Sequence, residues 1–108
     1  MSTTFDDRKD SFEQGFVLSE ELQFRAAARR NRLLGEWAAA KLGMTGEEAK
    51  EYSLSIVRTD FDEPGEEDVF AKIRADFDAG KVEQSDHQIR RAMAEFMEEA
   101  TRQVKAGE

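Results

Sequence analysis

Apolar residues in this chain recur at three- and four-residue spacing in four separate stretches, and nowhere in strict alternation. That pattern allows amphipathic helices and disfavours half-buried strands. The first stretch spans residues 20–42, where Leu22, Ala26, Leu33, Trp37 and Ala40 fall near one face and Leu34, Ala38 and Leu42 widen it. Gly43 is a natural left-handed stop. A second helix is predicted over 46–59, opened by Thr45-Gly46-Glu47-Glu48 at capping-box spacing and carrying Ala49, Tyr52, Ile56 and Val57 on its inner stripe. Asp60-Phe61-Asp62-Glu63-Pro64-Gly65 reads as a loop, because the residue before a proline is pushed out of helical geometry. The third helix, 65–78, crowds acids into its first turn, where the macrodipole favours them. Val69, Phe70, Ile73 and Phe77 form its apolar face, and Gly80 ends it. The last, 86–105, is capped by Ser85 with Gln88 and lined by Ile89, Met93, Phe96, Met97, Ala100 and Val104.

Four amphipathic helices with short connections predict an all-α fold, a four-helix bundle over residues 20–108. Its expected buried set includes Leu33, Trp37, Ile56, Val69, Ile73, Met93, Phe96 and Met97. Phe61, Phe70 and Phe77 are also read as core rather than as a cofactor box. A chain of 108 residues can close such a core without crosslinks, and it has no cysteine to make them.

Residues 1–19 stand apart. Phe5 and Phe12 are seven apart, and Phe12 and Phe16 four apart, so a helix would set all three on one stripe amid Asp6, Asp7, Arg8, Lys9, Asp10 and Glu13. Gly15 weakens that helix by roughly 1 kcal/mol relative to alanine, and so short a peptide is marginal in water. The residues leave two readings open: a mobile arm that folds on a partner, or an arm packing its phenylalanines on the bundle.

Net charge is −8, and residues 60–80 hold eight acids against Lys72 and Arg74. Such a surface repels nucleic acid over most of its area and points to a protein partner. No metal site is expected: His87 has no neighbours at ligand spacing, and the acids Glu63, Glu66, Glu67 and Asp68 do not match a calcium-binding loop. His87 reads as a surface residue. Arg25, Arg29 and Arg32 share one face of the first helix beside Arg30, and guanidinium groups bind phosphate oxygens in pairs. ATP or ADP is therefore the weak ligand such a row would take, with no other cofactor expected. The plainer expectation is that these arginines face the acidic third helix or are solvated. No nucleophile–base pair or catalytic carboxylate pair stands out, so an enzyme is not expected. With no membrane-length apolar run and no secretory leader, direct membrane insertion is not expected either.

Several segments in order resemble the zeta subunit family of alphaproteobacterial ATP synthases, intrinsic inhibitors of ATP hydrolysis. They are Thr4-Phe5-Asp6-Asp7-Arg8, Phe12-Glu13, Phe16, Phe24-Arg25-Ala26, and Ala28-Arg29-Arg30-Asn31-Arg32-Leu33-Leu34-Gly35. Trp37-Ala38-Ala39, Leu42-Gly43 and Asp60 through Phe70 complete the set. The resemblance implies a four-helix bundle bearing a mobile N-terminal inhibitory segment. That segment becomes helical between the alpha and beta subunits of the catalytic head, near the gamma shaft, and blocks rotation in the hydrolysis direction. It assigns partner binding to Phe5, Asp6, Asp7, Arg8, Phe12, Glu13 and Phe16, and places the protein in the cytoplasm, peripherally on the inner-membrane enzyme. Gln14-Gly15 departs from the alanine-lysine type pair of the family, which raises the cost of ordering the helix on binding. The competing reading is a small nucleotide-responsive regulatory or adaptor bundle built on the Arg25, Arg29, Arg32 row.

Overall fold

A computed structural model of the chain describes residues 18–62 and 65–108. It contains four helices: α1 (Glu20–Lys41), α2 (Gly46–Asp62), α3 (Glu66–Ala79) and α4 (Asp86–Lys105). Among the described residues there is no strand, and no helix is long and apolar enough to cross a membrane.

Local chemistry explains the boundaries. The Ser19 hydroxyl accepts from the Leu22 amide and starts α1, while Glu20 and Glu21 sit in its first turn. Gly43 follows α1 at φ +82°, the left-handed stop expected of it. Ser85 and Gln88 complete a reciprocal capping box at α4. The box expected of Thr45 and Glu48 does not form: among the described residues no side-chain hydrogen bond closes it, and α2 begins on the Ala49 amide bonding the Thr45 carbonyl.

The second helix also runs past its expected end at Thr59, so Asp60, Phe61 and Asp62 are helical rather than loop. The Thr59 hydroxyl bonds back to the Ser55 carbonyl, which spares it from competing for the helix end. The Asp60 carboxylate then accepts from the Gly65 amide and gathers the connection to α3. Glu63 and Pro64, between them, lie outside the described residues.

The first helix is the hub, packing mainly on α2 and α4, with α3 joined more lightly to α2 and α4. The core cluster draws on all four helices: Leu34 and Ala38, Ile56, then Val69, Ile73 and Phe77, then Ile89, Ala92 and Met93. Ile56, Val69, Ile73 and Met93 are buried as expected. Leu33, Trp37, Phe96 and Met97 are only half-buried, and Ala40 is exposed. Lying between α2 and α4, α1 buries an arc centred on Leu34 and Ala38 rather than on Leu33 and Trp37. Trp37 instead leans on Phe77, ring centroids 5.6 Å apart, and flanks the cluster with Phe70 and Phe96.

At Gly35 the two backbones come unusually close. A Cβ there would lie 2.7 Å from Ser53 Cα and 3.2 Å from Ile56 Cγ1. Only glycine permits α1 and α2 to approach this far, and Ser53 uses the proximity to donate to the Arg32 carbonyl at 2.8 Å.

Polar ties close the α3–α4 side. Arg90 makes two 2.9 Å bonds to Glu67 and lies 3.8 Å over the Phe70 ring. Arg74 joins Asp78, Asp86 and the Gln84 carbonyl. Tyr52 donates to Asp76 at 2.7 Å, and burial, then that bond, pushes its phenol pKa up.

Candidate functional site

The surface nearest the start of α1 is built on two aromatic rings. Phe24 on α1 and Phe61 near the end of α2 meet edge to face, centroids 6.5 Å apart. They remain 60% and 69% exposed, so the core role read for Phe61 is incorrect. The α2 extension that makes Phe61 helical leaves it at the rim, facing Phe24 rather than the core. Leu54, 42% exposed, lies on the same helix.

Phe24 lines a groove on either side of this ridge. One, of about 430 Å³, takes its polar character from Arg25, Arg29 and Arg32 over an apolar floor including Leu54 and Val57. The other, of about 440 Å³, is lined by Glu20, Asp60, Glu66 and Phe61, with Arg30 and Met97 inside.

The structure therefore brings Arg25, Arg29 and Arg32 to one groove, but not against α3. Arg25 pairs with Glu21 on its own helix at 3.1 Å. Arg29 reaches the end of α4, donating to Gln103 at 3.2 Å and to the terminal Glu108 oxygen at 2.6 Å. Arg32 has no ion pair among the described residues. Of the two alternatives for this row, facing the acidic third helix fails, since α1 packs on α4 and the end of the chain supplies the acceptors for Arg29, while solvation holds for Arg25 and Arg32, which are exposed.

Arg30 is the arginine that meets the acids. It is 3% exposed, and its Nε donates to the Asn31 side chain. Burial pulls its pKa down, while the charges of Asp60 and Glu66 pull it back up. The Asn31 amide nitrogen is buried without a partner. A buried guanidinium and a buried asparagine side by side could not be inferred from spacing, because both sit inside the apolar stripe. The one sequence signal was their adjacency within the arginine-rich run.

Among the described residues no group of three His, Asp or Glu side chains could hold a metal. His87 is exposed in the first turn of α4. The residues assigned to partner binding, Phe5, Asp6, Asp7, Arg8, Phe12, Glu13 and Phe16, lie outside the described residues.

No curated protein sequence matches the chain. A chain solved by solution NMR is similar to it, with 37% identity and a TM-score of 0.69 over 81% of this chain and 99% of that one. The family model of ATPase inhibitor subunit zeta matches residues 1–103, from the segment before α1 into the last turn of α4. The chain belongs to the ATPase inhibitor subunit zeta family.

Proposed function

We propose that the protein stops ATP hydrolysis by the rotary ATP synthase through residues 1–19, which fold into a helix wedged between the alpha and beta subunits near the gamma shaft. Membership of an inhibitor subunit family makes an ATPase its partner; the wedge is the finer reading. One observation carries it. The family match includes the whole N-terminal segment, whereas the bundle's core cluster is assembled from α1, α2, α3 and α4.

The chemistry suits a wedge. Phe5, Phe12 and Phe16 would anchor an apolar groove, each worth about 1.5–3 kcal/mol when fully buried. Asp6, Asp7, Arg8 and Glu13 would set register and partner through charge complementarity. An interface that must change shape in every cycle is blocked by occupancy alone, so the inhibitor needs no reacting group of its own. The bundle of residues 20–108 then acts as the body that carries and positions the segment.

Hydrolysis by cognate ATP synthase heads, with and without added protein, tests this directly. Deleting residues 1–18 should abolish inhibition and leave the helical circular dichroism of the bundle intact. Gly15→Ala should tighten inhibition by up to roughly 1 kcal/mol through a lower ordering cost. Full inhibition by the truncated chain would refute the wedge, and its unfolding would show that the phenylalanines belong to the core.

A further inference from the structure

The Phe24–Phe61 ridge is a pair of touching aromatic rings left uncovered among the described residues. With Leu54 these rings are the large hydrophobics that the fold leaves exposed. They also stand next to each other, and contiguous exposed apolar surface marks interaction sites more often than scattered residues do.

The charges around the ridge are sorted. Elsewhere most acids of α3 and α4 have cations: Glu67 has Arg90, Asp76 has Lys72, Asp78 and Asp86 share Arg74, Glu95 has Arg91 and Glu99 has Arg102, while Asp68 and Glu98 have none among the described residues. Beside the ridge, Glu20, Asp60 and Glu66 have no ion pair among the described residues, and buried Arg30 offsets them only in part. On the opposite flank Arg32 is likewise without an ion pair. The ridge thus separates an acidic groove from a basic one, and both are lined by Phe24.

Position selects the occupant. Phe24 lies five residues beyond Ser19, about 7.5 Å along the helix axis at 1.5 Å per residue. Any partner that takes up the chain before Ser19 has its own surface within reach of the ridge. We infer that the ridge is a second docking surface, packing on the outside of the same catalytic head that receives residues 1–19. It fits an apolar knob flanked by basic side chains toward Glu20, Asp60 and Glu66, and by acidic ones toward Arg32. The inference rests on the reading that residues 1–19 enter the head. Two linked contacts raise avidity by roughly 10²–10⁴ over either alone, so the ridge sets how little inhibitor suffices, while the N-terminal segment sets whether rotation stops.

The test uses the full chain with Phe24→Ser and Phe61→Ser combined. Its binding to cognate heads is followed by fluorescence anisotropy, in parallel with hydrolysis across inhibitor concentrations. The expected result is a half-saturating concentration raised about 100-fold or more, with the same inhibition at saturation. Arg32→Glu and Glu66→Lys should each raise it by roughly 3- to 10-fold, with the larger effect at low salt. Unchanged melting by circular dichroism separates these effects from unfolding. Unaltered binding by the double serine variant would overturn the inference. So would a dimer of the free protein that this variant dissolves, or amide shifts at Phe24 and Phe61 on deletion of residues 1–18, since the ridge would then belong to a second copy or to the chain's own arm. Failure of the wedge reads out differently: Phe5, Phe12 and Phe16 replaced together by serine would leave inhibition complete, whatever the ridge variants do.

Discussion

The two halves of α1 are cut from similar material and meet opposite fates. The second half buries Asn31, Leu34, Gly35, Ala38 and Ala39, while the residues before Arg30 bury Ala26 alone and hold Phe24 out at 60% exposure. Side-chain hydrophobicity does not explain this, since glycine and alanine are inside and a phenylalanine is outside. What differs is the approach of neighbours. At Gly35 the α2 backbone comes too near for any side chain. Around Phe24 the neighbouring α2 contributes a rim instead of a lid. Burial on a helix is therefore decided by how close the next helix can come, and the buried half is structural surface while the bare half is free for a partner.

The contrast can be broken most severely from the buried side. Phe77, fully buried against Trp37, should cost about 3–5 kcal/mol when cut to alanine, read from the urea midpoint. Gly35→Ala adds one methyl group where Ser53 Cα stands. It should cost about 1–3 kcal/mol despite the better helix propensity of alanine, and a neutral result would mean the helices separate freely. On the bare half, Phe24→Ala should change stability by less than about 0.5 kcal/mol. A loss as large as that at Gly35 would erase the distinction between the halves.

A pH series sharpens the comparison at the α3–α4 side. The Arg90 hydrogen bond and charge hold the Glu67 carboxyl below its ordinary pKa, and Arg102, then Gln103, do the same for Glu99. A carboxyl depressed in the folded state stabilises it above the unfolded pKa and loses that contribution as pH falls through the folded one. The melting temperature should therefore decline from pH 6 toward pH 3, and Arg90→Gln should flatten part of the decline. Both carboxylates are surface groups, so the slope is shallow. His87→Gln should show the smallest effect, with melting and inhibition unchanged, since the side chain is exposed in the first turn of α4.

Periodicity and capping chemistry made most of the fold legible. The four helices fall where the spacing of Leu, Ile, Phe and Met put them, and Ser85 with Gln88 closes its box as read. The sequence could not reveal which neighbours each stripe would meet. For α1 this shifted the buried arc from Leu33, Trp37 and Ala40 toward Leu34 and Ala38, and for Phe61 it reversed the expectation. Gly35 has no side chain for hydrophobic spacing to register, and the Ser53 backbone that requires a glycine there comes from another helix. At the candidate site the arginine row was visible, but its acceptors at Gln103 and Glu108 lie more than seventy positions away in sequence. The acids close to Arg30 are brought there by the fold alone.

The central placement of α1 has a mechanical side. If residues 1–19 are held in the motor as proposed, the pull falls on Glu20 along the axis of the helix that follows. Because α1 packs on both α2 and α4, that pull loads their interfaces in shear, with many side chains sharing the force at once. Had the tail emerged from α3, which is joined more lightly, the same force would peel contacts open one after another. Arg29, bridging to the far end of α4, and Ser53, bonded to the α1 backbone, act as cross-ties just behind the point of attachment. On the proposed reading the inhibitor is strung on its most widely packed helix, like a bolt threaded through the middle of the block rather than glued to its edge.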